Sequence, residues 1–208
     1  MRRHYRKMTA DNDKKVRRAL RLQNMDTQSR YYGGFPDGDT LFDVKYTIHL
    51  LASMTAAYSN ENSVYYHDEQ MADRVLAGLD FVERYQHEDG LFDLINCNFH
   101  SAPDTAFNLK GMLPCLHYLR EKERDEKQAQ IYEKLSAIAG RAAEGLLSGG
   151  FHTPNHRWAI ASSVQIFSEN LHMQKRLRCI WPKELTAIKM ENMQKDLRSF
   201  TILSTTMQ

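Results

Sequence analysis

The chain lacks the features that would place it in a membrane, around a metal cluster or on a nucleotide. No apolar run approaches the ~20 residues that span a bilayer. The basic start (Arg2, Arg3, Arg6, Lys7) is not followed by the apolar stretch of a secretory leader. These two absences set the expectation of a cytoplasmic protein with no membrane partner. Cys97, Cys115 and Cys179 are odd in number and widely spaced, without CxxC or zinc-ligand spacing, and read as buried reduced thiols. No Gly-rich phosphate loop, Ser nucleophile elbow or dinucleotide fingerprint occurs, so no cofactor is expected. Sustained period-two alternation and Asn-Gly hairpin turns are missing too, which argues against strands.

What is present suits one globular unit. The 208 residues are 42% hydrophobic and 26% charged, enough apolar material for a real core. Charge is uneven. Residues 1–22 hold nine basic and two acidic side chains, whereas the stretch to Ser168 is acidic by about eight charges. The basic segment carries no nucleic-acid motif and no interleaved aromatics, so it reads as a solvated helical face with no nucleic-acid partner.

Apolar spacing near 3.6 recurs along the chain. Residues 11–24 read as a short charged helix. Residues 40–58 have helical spacing and few charges, which predicts a buried inner helix, and 64–87 have a charged face, which predicts an outer one. The pattern returns with an inner helix over 104–121, where Pro114 predicts a kink, an outer helix over 124–147 and an inner helix over 154–167. Inner helices are expected to begin near Thr40, Asp104 and Pro154. The result is an all-α chain of antiparallel αα-hairpins repeating every 50–60 residues or so.

Turn chemistry punctuates the repeat. Gly33, Gly34, Pro36 and Gly38 break the first connection, Gly90 and Pro103 the second, and Gly149, Gly150 and Pro154 the third. In such an array every outer-to-inner connection lies at one end of the stack, so these three loops should share a face, where function tends to reside. In the third, Thr153 is a good N-cap and Pro154 a good first helical residue, which puts Asn155 and His156 in the first turn. Their side chains, the free backbone N–H groups and the Arg157 fork together suit an anion.

Three segments, YYGGFPDGD (31–39), QHEDGLFDLINCNFHSAPDTAF (86–107) and GGFHTPNHRWAIAS (149–162), resemble the (α/α)-toroid lyases of the heparinase II/III-like group, including rhamnose–glucuronate lyases. The resemblance covers residues 30–163 and implies an incomplete (α/α) toroid acting on an acidic polysaccharide or oligosaccharide. It implies β-elimination: the uronate carboxylate is neutralised, a base takes the C5 proton and an acid protonates the leaving oxygen. The positions matching the Asn-His pair that surrounds the carboxylate are Asn155 and His156. His152, His100, Tyr31 and Tyr32 are candidates for base and acid. Arg157, Asp104, Asn98, Tyr31 and Tyr32 are candidates for holding substrate, the tyrosines by stacking on a sugar ring.

The chain departs from that family in length. Members carry a fuller toroid and a β-rich domain, whereas about three hairpins are legible here and residues 164–208 abandon the inner–outer rhythm. An open toroid end predicts self-association. Two other readings stand beside the lyase. A glycoside hydrolase on a six-hairpin scaffold would use Asp37, Asp39 or Asp104 as its paired carboxylates. A helical-repeat module would bind glycan or protein through its loops without catalysis. His152 and His156 are four apart, but Pro154 between them spoils a helical zinc pair, so no metal is expected. His49, His87 and His117 read as structural, and His67 as part of a solvated face.

Overall fold

In the computed structural model the described residues are 2–38, 41–95, 97–121, 123–147 and 153–167. Several expectations fall outside them: Asp39, His152, Cys179, the Gly149–Gly150 break and the tail from residue 168 onward.

The described residues form six helices and one small hairpin: α1 (Arg2–Leu22), α2 (Val44–Ser59), α3 (Glu69–Arg84), β1 (Phe92–Leu94), β2 (Asn98–Ser101), α4 (Ala102–Glu121), α5 (Glu126–Leu146) and α6 (Pro154–Phe167). The fold is all-α in class. Helices α2, α4 and α6 lie side by side as an inner row; α3 and α5 form an outer row against them, and α1 packs on α2. One apolar cluster fills the space between the rows, from Val16 and Phe35 through Met54, Phe81, Phe92 and Leu109 to Ile138 and Val164.

Helix starts follow local capping. Asp43 accepts from the Lys45 amide (2.6 Å) and Asp68 from the Met71 amide (2.9 Å). Asp125 and Gln128 form a full capping box at the start of α5. These caps correct the expected boundaries. Helix α2 begins four residues after Thr40, and α3 begins at Glu69 because residues 61–67 are turns ending in the left-handed His67 (φ 54°). Helix α1 extends to Arg2, since the Tyr5 hydroxyl donates to Asn60 (2.9 Å) and holds that end against the following loop.

The expectation of no strands is also corrected. β1 and β2 pair antiparallel, Phe92 with Ser101 and Leu94 with Asn98. Between those pairs one residue on β1, Asp93, therefore opposes two on β2, a bulge that carries Phe99 and His100. Strands this short are set by the loop's tertiary anchors, not by alternation. A single bridge, Pro36 with Phe42, closes the first connection.

The two described long connections are built alike. At each outer-helix end a glutamine donates both into its own loop and onto the next outer helix: Gln23 to the Gly33 and Arg74 carbonyls, Gln86 to the Gly90 and Ile138 carbonyls. A left-handed glycine follows, Gly33 (φ 86°) and Gly90 (φ 82°). A fully buried phenylalanine comes next, Phe35 and Phe92, whose backbone N–H donates to a buried threonine on the inner helix, Thr47 (3.1 Å) and Thr105 (2.8 Å). The repeat is thus one of hydrogen bonding as well as of helix order.

Candidate functional site

Chain direction alternates from helix to helix, so the ends of α1, α3 and α5 and the starts of α2, α4 and α6 all lie at the same end of the stack. The first connection lies on the C-terminal half of α3, where Arg84 donates to the Tyr32 carbonyl (2.5 Å). The second lies on the C-terminal half of α5, with Gly90 against the Arg141 carbonyl. Every described candidate residue is on this face.

The second connection gathers most of them. Asn98 donates to the Ser101 hydroxyl (3.1 Å), and Ser101 donates to the Asp104 carboxylate (2.6 Å) at the start of α4. Thr105 donates to the Ser101 carbonyl (2.7 Å), locking the turn. Asp104 is therefore part of the helix cap, and α4 begins at Ala102, two residues earlier than expected.

His100 sits on the bulge in a left-handed backbone conformation (φ 49°). Its Nδ1 lies 2.6 Å from an Asp89 carboxylate oxygen, and its backbone N–H donates to Asp93 (2.8 Å). The same Asp93 oxygen is 2.8 Å from His87 Nε2. The His87 and His100 rings stack, with centroids 3.8 Å apart and planes 19° from parallel. Two imidazoles and two carboxylates thus form one cluster, with His100 exposed to solvent. Partial burial raises the Asp89 carboxyl, but the Leu91 amide, the His100 hydrogen bond and the nearby histidines hold it, on balance, below the usual carboxylate value.

Sequence reasoning placed His100 here but missed Asp89 and Asp93, and it assigned His87 to a structural role. The available signal was weak: four titratable residues, His87, Glu88, Asp89 and Asp93, within seven positions of one Gly-containing loop. Only the turn at Gly90 and the bulge bring residue 100 back over residues 87, 89 and 93.

At the start of α6 the Thr153 carbonyl accepts from the Arg157 amide (3.1 Å) and the Thr153 hydroxyl donates to the Asn155 side-chain oxygen. Asn155 and Arg157 are exposed, and His156 is half-buried. The His156 Nδ1 atom is buried with no hydrogen-bond partner among the described residues. A buried polar atom left so costs about 1–3 kcal/mol, which a structure tolerates for a reason. His156 and Asp104 both lie in the first turns of α6 and α4, adjacent inner helices that run the same way.

In the first connection Tyr31 stacks on Phe42 (4.5 Å, 8°) and the Arg30 guanidinium lies over its ring. That ring is used in packing the loop. Tyr32 is half-buried beside it. Asp37 accepts from the Leu41 amide (3.1 Å), so Asp37 and Asp104 both serve turns.

His67 is exposed, as expected, but on a loop at the opposite end and not on a helix, 3.1 Å from Asp125 and against the Tyr58 and Tyr66 rings. The cysteines divide. Cys97 is exposed on the hairpin, not buried. Cys115 keeps the expected character, its thiol donating to the Ala52 carbonyl and pushed up to about 12 by burial. Among the described residues no three His, Cys, Asp or Glu side chains come together to hold a metal ion. No described helix is long and apolar enough to cross a membrane.

Residues 1–100 match the polysaccharide lyase family 8 N-terminal alpha-helical domain. The match supports a relationship to polysaccharide lyases and spans just under half of the 208 residues. It takes in α1, α2, α3 and the hairpin up to His100, and stops short of α4, α5 and α6. No curated protein and no solved structure matches the chain.

Proposed function

We propose that this chain is a polysaccharide lyase-like domain, built as an incomplete (α/α) toroid, that cleaves uronate-containing glycans by β-elimination on its loop face. Three lines support the reading. The first is the match of residues 1–100 to an N-terminal helical domain of polysaccharide lyases. The second is the resemblance of the three loop segments to heparinase II/III-like lyases. The third, which carries the assignment of residues, is the chemistry at the start of α6: Asn155, His156, whose buried Nδ1 has no partner among the described residues, and Arg157 stand consecutively at a helix N-terminus.

The chemistry follows from those groups. A uronate is easily deprotonated at C5 only when its carboxylate is neutralised, because the charge that develops must be spread onto that group. Amide and imidazole donors at a helix start supply directed, partly desolvated hydrogen bonds, which are worth more than in water. A base then takes the C5 proton, the C4–C5 double bond forms, and the C4–O bond breaks with a proton delivered to the leaving oxygen. His100, exposed and hydrogen-bonded at Nδ1, suits the base through its other nitrogen.

The test is ultraviolet absorbance of the unsaturated uronate product, with the full chain and a panel of uronate polysaccharides. His156→Ala is expected to lower the rate at least about a hundredfold, the effect of removing one donor to a developing anion. Its helical circular dichroism should be unchanged. Undiminished elimination by that variant would overturn the assignment.

A further inference from the structure

The cluster at the hairpin does more than present a histidine; it holds one in a single orientation. His100 sits on a bulge, and bulges re-aim side chains. Its left-handed backbone (φ 49°) is uncommon for a residue with a β-carbon and persists only where surroundings enforce it. Here the surroundings are named. Asp93 takes the His100 backbone N–H and, through the same oxygen, ties down His87. The His87 ring covers one face of the His100 ring at 3.8 Å. Asp89 engages Nδ1 at 2.6 Å while also accepting from the Leu91 amide at 3.0 Å, so the carboxylate is itself oriented by backbone. The Asp89 carbonyl in turn lies where Gly145 of α5 leaves room for it. The remaining nitrogen, Nε2, has no partner among the described residues, and the side chain is 51% exposed.

From this arrangement we infer that Asp89 is a positioning residue for His100: it fixes the neutral tautomer with hydrogen on Nδ1 and leaves the Nε2 lone pair facing solvent as the base. A carboxylate can only accept, so neutral His100 must donate to it from Nδ1. Asp93 and His87 serve the same end by fixing the backbone and the ring plane. The inference deepens the lyase reading and rests on it for the identity of the reaction, though not for the tautomer. Proton removal from C5 by Nε2 yields an imidazolium whose Nδ1–H still points at Asp89, so the charge gained on His100 is met by a carboxylate already in place.

The decisive variant is Asp89→Asn. Its amide oxygen can still accept from Leu91, so the loop is expected to fold. Its NH2 group then meets His100 Nδ1 as a donor, which favours the opposite tautomer and puts hydrogen on Nε2. Long-range nitrogen–proton correlation spectra of the full chain, with His100 assigned through His100→Gln, read this directly. With the ring neutral, wild type should show hydrogen on Nδ1, and Asp89→Asn should show it on Nε2. On a uronate glycan the same variant should lose about a hundredfold in kcat with KM little changed, and Asp89→Glu should recover part of the loss.

The two arms separate the possible failures. If wild type turns over no glycan, the lyase reading fails, and the tautomer spectra still decide whether Asp89 positions His100. If His100 carries hydrogen on Nε2 in wild type, or has the same tautomer in wild type and Asp89→Asn, the inference is overturned. An active enzyme whose kcat is unchanged by Asp89→Asn overturns it equally.

Discussion

Gly90 stands where the second connection lies flat on the neighbouring outer helix. A β-carbon there would come within 2.0 Å of the Arg141 carbonyl oxygen, and its φ of 82° is one that side chains resist. The loop cannot retreat, because Gln86 holds it from one side and the Phe92–Thr105 bond from the other. Gly90→Ala should therefore destabilise the protein by about 2–5 kcal/mol, the sum of backbone strain and overpacking. Urea unfolding followed by circular dichroism measures this; a change below about 1 kcal/mol would show that the loop can shift. Gly33 is held the same way against the Ala77 carbonyl (1.9 Å), so the two positions should respond alike. At this scale glycines as turn formers are legible in the sequence. The reason for their rigidity, a backbone carbonyl on the next helix, is not.

The elements differ in what attaches them. Inner helices α2 and α4 contribute many fully buried apolar side chains, among them Ile48, Leu51 and Met54, and Leu109, Met112 and Leu119. Helix α1 contributes the buried Val16 and Ala19 and the partly buried Leu20, and otherwise holds on through polar pins. Asp13 is the chief of these: buried, it accepts from the Ser63 hydroxyl (2.6 Å) and the Val64 amide (3.2 Å). Asn12 donates to the Ser53 carbonyl, and Arg74 to the Leu20 carbonyl. Asp13→Ala strands two donors, a cost of about 1–3 kcal/mol. It should speed amide exchange in α1 while α4 stays protected. Equal protection of the two helices in the variant would mean that α1 is integral to the core. The outer row carries ion pairs from α5 to α3, Lys127 to Asp73 and Arg141 to Glu83. Being exposed, these contribute less than about 1 kcal/mol each.

For the molecule as a whole, the apolar cluster is continuous from Val16 to Val164. Continuity predicts cooperative loss: urea curves from far-ultraviolet circular dichroism and from aromatic fluorescence should coincide in one transition. Two separated transitions would show that the hairpins unfold as independent units. The alternation of a charged, amphipathic helix with an apolar one was enough to order the rows, because burial on all sides and burial on one side leave different compositions. The same alternation put the starts of the inner helices at one end, and with them His100, Asp104, Asn155 and His156. What periodicity does not carry is the path of a loop. The hairpin, its bulge, the left-handed His100 and the meeting of His87, Asp89, Asp93 and His100 arise from hydrogen bonds to other elements. The sequence by itself determined the helical class, the order of inner and outer helices and the end of the stack at which the inner helices begin. Only the tertiary structure decided which side chains on that face touch, because loop geometry is set by anchors such as Gln86 on the Ile138 carbonyl and Gly90 on Arg141, which lie more than fifty residues away along the chain.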